Sequence, residues 1–183
     1  MALSDDLARI ATAGAAFAQP GEHIDGILAA EPEQGVRVYL CAFQSGDGHA
    51  WLALDDDGRP LADRRLVREA ASIAALCEIA EESAGGGDLA QLRVRLAELR
   101  ETEAPEGIEE AEDAAAALEA TIQPEPRLAS HAYLDALGAA ARRLERALGD
   151  DGASPFAAAM QSALTAVDEL AADVERSYKG PLQ

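Results

Sequence analysis

The sequence predicts a predominantly helical α+β fold, in which a short antiparallel β-hairpin is covered by helices and followed by a C-terminal antiparallel αα-hairpin. Three observations lead there. Residues 36 to 55 combine β-branched and aromatic side chains with a central turn signal. Elsewhere, apolar residues recur at three- and four-residue spacing. The hydrophobic fraction of 49% contains much alanine, and aromatics make up only 4% of the chain. Such a composition favours helix while burying little surface per side chain.

Ser4 reads as an N-cap with Asp5 and Asp6 in the first turn, where the helix dipole favours acids. Leu3, Leu7, Ile10, Gly14 and Phe17 then share one face, and Pro20-Gly21 stops the helix. A helical turn is expected around Ile24 to Ala30, ended by Pro32. Val36 to Phe43 is the strongest strand, Gln44 to Gly48 the turn, and His49 to Asp55 the returning strand. After the Asp57-Gly58-Arg59-Pro60 turn, Leu61-Ala62 is expected to begin a short third strand.

Two strands alone are not stable, so a helix must cover them. Arg64 to Ser83 is expected to do so, because its stretch from Ala70 to Cys77 is almost uncharged all round. Gly85 to Gly87 ends that helix, and Asp88 is placed to cap Leu89 to Arg100, in which Leu89, Leu92, Leu96 and Leu99 share a face. Pro105 to Gly107 precedes an acidic helix over Ile108 to Ile122, and Gln123-Pro124-Glu125-Pro126 is a rigid break.

Beyond the break, Leu134, Leu137, Ala141, Leu144 and Leu148 form one seam. Phe156, Met160, Ala163, Val167, Leu170 and Val174 form a second. The link between them, Gly149 to Pro155, offers a C′ glycine, a serine N-cap and a proline at N1, the signature of an antiparallel pair. The chain therefore divides into an α+β core at 1–104, an acidic helix with a proline-bounded linker at 105–126, and the αα-hairpin at 127–183. The last either packs on the core or stands apart.

The net charge of −19 is uneven. Residues 1–100 hold 17 acids and 9 bases, 101–126 hold 9 acids and no base, and 127–183 hold 8 acids and 6 bases. That field opposes direct binding to nucleic acid or an anionic membrane and attracts basic partners or divalent cations. It also keeps an alanine-rich chain soluble. Cys41 and Cys77 lack any CxxC or zinc spacing and read as buried thiols. The acidic N-terminus does not resemble a signal peptide, and a cytoplasmic location is expected.

No complete catalytic motif is present: there is no GxSxG elbow, phosphate loop, HExxH or EF-hand loop. Chemistry would rest on carboxylates at helical spacing. Glu78 and Glu81 lie on one helix edge, and Glu110 and Asp113 repeat that spacing later. This ExxE followed by ExxD resembles the magnesium-binding carboxylates of all-α nucleoside triphosphate pyrophosphohydrolases over those eight positions. The resemblance implies a Mg²⁺-dependent phosphohydrolase in which the four acids hold the ions; otherwise they form a solvated acidic face.

The hairpin gathers Arg37, Tyr39, Phe43, His49 and Trp51, which would form either a ligand or partner surface or the core beneath a helix. Arg64, Arg65 and Arg68 are expected to pair with Asp55 to Asp57 and Asp63. Leu134, Leu137, Leu144, Phe156, Met160 and Val167 form a dimer seam if the helices self-associate. The leading expectation is a non-enzymatic interaction or regulatory protein acting through helical surfaces, on an unidentified protein partner or a second copy, without a cofactor. The phosphohydrolase is the alternative, and an acidic mimic of nucleic acid is the second alternative.

Overall fold

The computed structural model describes residues 3–46, 48–85, 88–103, 105–149 and 154–183. Among them the fold is α+β, with six helices and a four-stranded mixed sheet. The elements are α1 (Leu3–Ala15), β1 (His23–Glu33), β2 (Val36–Ser45), β3 (Gly48–Leu54), α2 (Arg64–Ser83), α3 (Leu89–Thr102), α4 (Ile108–Thr121), β4 (Leu128–Ser130), α5 (His131–Ala147) and α6 (Pro155–Arg176). Of the expected turn signals, Asp47, Gly86-Gly87 and Asp150 to Ala153 lie outside the described residues.

The chain forms two compact units, each discontinuous in sequence. The first comprises residues 1–75, 125–131 and 165–183 and holds the sheet, in the order β3-β2-β1-β4. β2 pairs antiparallel with both neighbours, with Tyr39 opposite Leu54 on one side and Ala29 on the other. β4 lies parallel to β1 along Ala29 to Glu31. The predicted hairpin is therefore β2 and β3, inside a larger sheet.

β1 overturns the expected helical turn at Ile24 to Ala30. Gly26, Ala29, Ala30 and Pro32 are poor strand formers in isolation, yet the neighbouring β2 supplies hydrogen-bond partners along its length. Bulges between Ile24 and Gly26 and between Ala30 and Glu33 absorb the misfit, the second around Pro32. Gln34-Gly35 turns the chain into β2, with Gly35 at φ +78°, a conformation that only glycine adopts without strain. The third strand expected at Leu61-Ala62 reduces to an isolated bridge between Leu54 and Pro60.

Tyr39, Cys41 and Phe43 of β2, with Ala29, Leu52 and Leu54, form a buried cluster capped by Ile10 and by Leu3 and Leu7 of α1. On this face the cover is α1. Gly14 permits the close approach, since a Cβ there would meet Ile24 Cδ1 at 3.1 Å and Cys41 Sγ at 3.4 Å. Val38, Leu40 and Ala53, on the opposite face, are equally buried, as are Val67, Ala70 and Ala71 of α2 and Ala171 and Val174 of α6 in the same unit.

The segment after α6 closes the edge of β3. The Trp51 N–H donates to the Ser177 carbonyl at 2.9 Å, and the Lys179 N–H donates to the Trp51 carbonyl at 2.8 Å. The Tyr178 hydroxyl donates to the Leu61 carbonyl at 2.6 Å. Lys179 pairs with Glu22 and lies 4.0 Å from the centre of the Phe43 ring.

The second unit, residues 76–124 and 132–164, is helical. α3 and α4 follow the expected positions within two residues, although Asp88 makes no side-chain capping bond. Leu137, Gly138, Ala141 and Leu144 of α5 are buried, and a Cβ on Gly138 would meet Phe156 at 3.4 Å, so α5 packs against the start of α6. The Glu145 carboxylate accepts from the Phe156 N–H at 2.8 Å, capping α6.

Two expectations test this packing. Gly14→Leu overfills the α1–sheet contact and is expected to cost about 1–3 kcal/mol in urea unfolding. The second concerns alkali, because burial pushes both the Cys41 thiol and the Tyr178 phenol up to about 12. Their unfolded values are 9.0 and 10.0. Raised folded values stabilise the protein below the unfolded ones, and that stability is lost as pH rises through about 12. Urea midpoints should therefore fall between pH 9 and 12, and fall less steeply in Tyr178→Phe.

Candidate functional site

A concave surface of the second unit lies between α3 and α4. Leu89 and Leu96 of α3 are buried, as are Ile108, Ala111, Ala114, Ala115 and Leu118 of α4. Alanine on the inner face of α4 lets the two helices approach closely. Arg93 pairs with Glu119, and the Arg100 Nη1 donates to Glu112 Oε2 at 3.0 Å. Since 93 matches 119 and 100 matches 112, the helices run antiparallel. The Glu112 hydrogen bond raises the Arg100 pKa above its ordinary value.

Between these ion pairs runs a groove of about 520 Å³, with Ala97 and Ala116 in its lining and Val94 along its side. Val94 is 58% exposed, and Leu99, further along α3, is 38% exposed. α4 carries Glu109, Glu110, Glu112, Asp113 and Glu119 and no base. The surface therefore combines apolar contact with negative charge. The leucine periodicity of α3 directed attention to Leu89 and Leu96, and Val94 was passed over because it falls off that seam.

The four carboxylates of the ExxE/ExxD pattern are not brought together. Glu78, Glu110 and Asp113 are exposed, while Glu81 is buried. The Tyr133 hydroxyl donates to Glu81 and accepts the Gln123 N–H at 3.0 Å. Among the described residues no three His, Cys, Asp or Glu side chains converge to hold a metal ion. Glu81 acts as a buried acceptor joining α2 to α5.

The pleat of the sheet divides the five hairpin residues. Arg37, Tyr39 and Phe43 lie on the α1 face of β2, whereas His49 and Trp51 of β3 lie on the other, because Trp51 pairs with Ala42 and His49 with Gln44. Tyr39 and Phe43 are core, and the Tyr39 hydroxyl donates to Asp56 Oδ1 at 3.1 Å. Beside it Arg37 and Arg9 donate to the buried Asp6 carboxylate at 3.3 and 3.2 Å. Burial, with the adjacent Asp56, raises the Tyr39 phenol, while its hydrogen bond with Arg37 raises the guanidinium.

On the opposite face His49 Nε2 lies 2.8 Å from Asp173 Oδ2, and Trp51 Nε1–H donates to the same oxygen at 3.4 Å. Burial acts to raise the Asp173 carboxyl. Hydrogen bonds from His49, Trp51 and Arg176 outweigh it and hold the group below its ordinary value. Sequence reasoning missed Asp6 and Asp173, yet Asp6 had a signal: it precedes Ile10 and Gly14 by one and two helical turns and so shares their inward face.

Arg64, Arg65 and Arg68 form ion pairs as expected, but with different acids. Arg64 and Arg68 pair with Glu175, Arg68 also with Asp168, and Arg65 with Glu33 and Glu69. The expected aspartates lie elsewhere; Asp63 instead accepts from the Leu66 N–H at the start of α2. Of the seam residues, Leu137, Leu144, Phe156 and Val167 are buried within the chain, and Leu134 and Met160 are half-buried.

No family model matches the chain, and no curated protein or solved structure matches it either. No helix among the described residues is long and apolar enough to cross a membrane. Asp6→Asn, which weakens two charge-assisted contacts to a buried carboxylate, is expected to lower stability by about 1–2 kcal/mol. Urea unfolding at pH 7 measures it, and an unchanged midpoint would assign Asp6 no role in holding α1.

Proposed function

We propose that the protein is a non-enzymatic interaction module whose α3–α4 groove takes up a basic amphipathic helix of a protein partner. The observation that carries this reading is the exposure of Val94 in the groove, next to an α4 that carries five acids and no base. Amphipathic helices dock in such grooves through a few apolar anchors. Charge complementarity governs approach and partner choice, and a net charge of −19 favours a cationic partner over nucleic acid or an anionic membrane. The ion pairs Arg93–Glu119 and Arg100–Glu112 bridge the two walls, and the close packing of α3 on the alanines of α4 sets their spacing.

The test uses a fluorescein-labelled model helix of leucine and lysine, with binding followed by anisotropy. Val94→Asp is expected to weaken binding about tenfold, corresponding to about 1.4 kcal/mol, without changing the circular dichroism. An affinity that falls with salt but is indifferent to Val94→Asp would reduce the effect to non-specific attraction and remove the groove from the function.

A further inference from the structure

The two edges of the sheet are treated differently. At β3 the chain itself supplies cover, through the exchange of backbone hydrogen bonds between Trp51 and Ser177 and Lys179. At β1 it does not. β4 reaches only Ala29, Ala30 and Glu31, and among the described residues no strand pairs with the outer side of His23 to Leu28. Every residue of that stretch is exposed or half-buried, and Leu28 is 38% exposed. A Cβ built on Gly26 would meet nothing within 4 Å. An edge of this kind presents backbone donors and acceptors with which another extended chain can pair along its length.

The side chains specify what that chain must carry. Ile24 and Ile27 pack against the cluster beneath α1, and Leu28, opposite Leu40, lies on the other face, so apolar contact is available on both sides. Asp25 is the extra residue of the bulge between Ile24 and Gly26, and it is exposed. A second copy laid along this edge would bring a second Asp25 to it, on chains that each carry −19. Like charges placed together across strands are destabilising, whereas a cation there is favoured.

We infer that the outer edge of β1, His23 to Leu28, is a strand-addition site for an extended segment of a partner protein that alternates apolar and basic residues. Main-chain hydrogen bonds extend the sheet in line with β4, and a lysine or arginine meets Asp25. This site belongs to the first unit and the α3–α4 groove to the second, so each is tested by its own substitution.

The experiment titrates the ¹⁵N-labelled full chain with a capped heptapeptide alternating lysine and valine, reading amide shifts and hydrogen exchange. Shifts and slowed exchange centred on His23 to Leu28 are expected. Asp25→Lys should weaken the peptide at least tenfold and admit a glutamate–valine heptapeptide instead, while Val94→Asp leaves both results unchanged. Shifts spread over acidic surfaces and insensitive to Asp25→Lys would overturn the inference. So would protection of the same residues in the chain alone, accompanied by a dimer in sedimentation, which would give the edge to a second copy.

Discussion

Burial of β2 on both faces is the constraint on which the first unit depends. Tyr39, Cys41 and Phe43 point one way, Val38 and Leu40 the other, and each is essentially inaccessible to solvent. A strand so placed cannot leave backbone groups to water, so it needs a neighbour on either side, and β1 and β3 supply them. It also needs apolar cover on two faces. α1 provides one, at a distance set by the missing side chain of Gly14. Where the strand emerges, the Tyr39 hydroxyl and Arg37 meet Asp56 and the buried Asp6, which joins the start of α1 to the sheet through charge-assisted bonds.

The helical unit works with less apolar surface per residue. α4 presents alanines inward, which bring it close to α3 while removing little area from water. Polar ties supplement the packing: the Tyr133–Glu81 hydrogen bond, the Arg93–Glu119 and Arg100–Glu112 pairs, and the Glu145 cap on α6. Exposed ion pairs each contribute little. Their larger consequence is to engage Arg93 and Arg100 of α3 beside an α4 that carries five acids and no base. That helix and the exposed Asp25 of β1 both attract positive charge, which is what the two proposals share.

Much of the architecture was legible because it rests on local signals. The run Val38 to Phe43 is apolar without interruption, as befits a doubly buried strand, and α2 matches its expected bounds of Arg64 and Ser83. β1 was not legible. Glycine, alanine and proline give it no intrinsic preference for extension, and its conformation comes from pairing with β2. β4 was missed for a related reason, since three residues held by parallel pairing leave no periodicity to detect. Among the site residues, the grouping of Tyr39 and Phe43 with Trp51 relied on nearness in sequence. Two-residue alternation across the hairpin separates them, and only the register decides which residues face each other.

By itself, then, the sequence determined the class of fold, the central strand, the positions of the long helices and the net charge of −19. These follow from composition and from periodicities that each element carries within itself. Tertiary structure alone decided that Ile24 to Ala30 is strand, that Glu81 is a buried acceptor while Glu110 and Asp113 are exposed, and that, among the described residues, one sheet edge is covered at Trp51 while the other is unpaired from His23 to Leu28. Those outcomes depend on pairing between segments distant in the chain, and no segment encodes its partner.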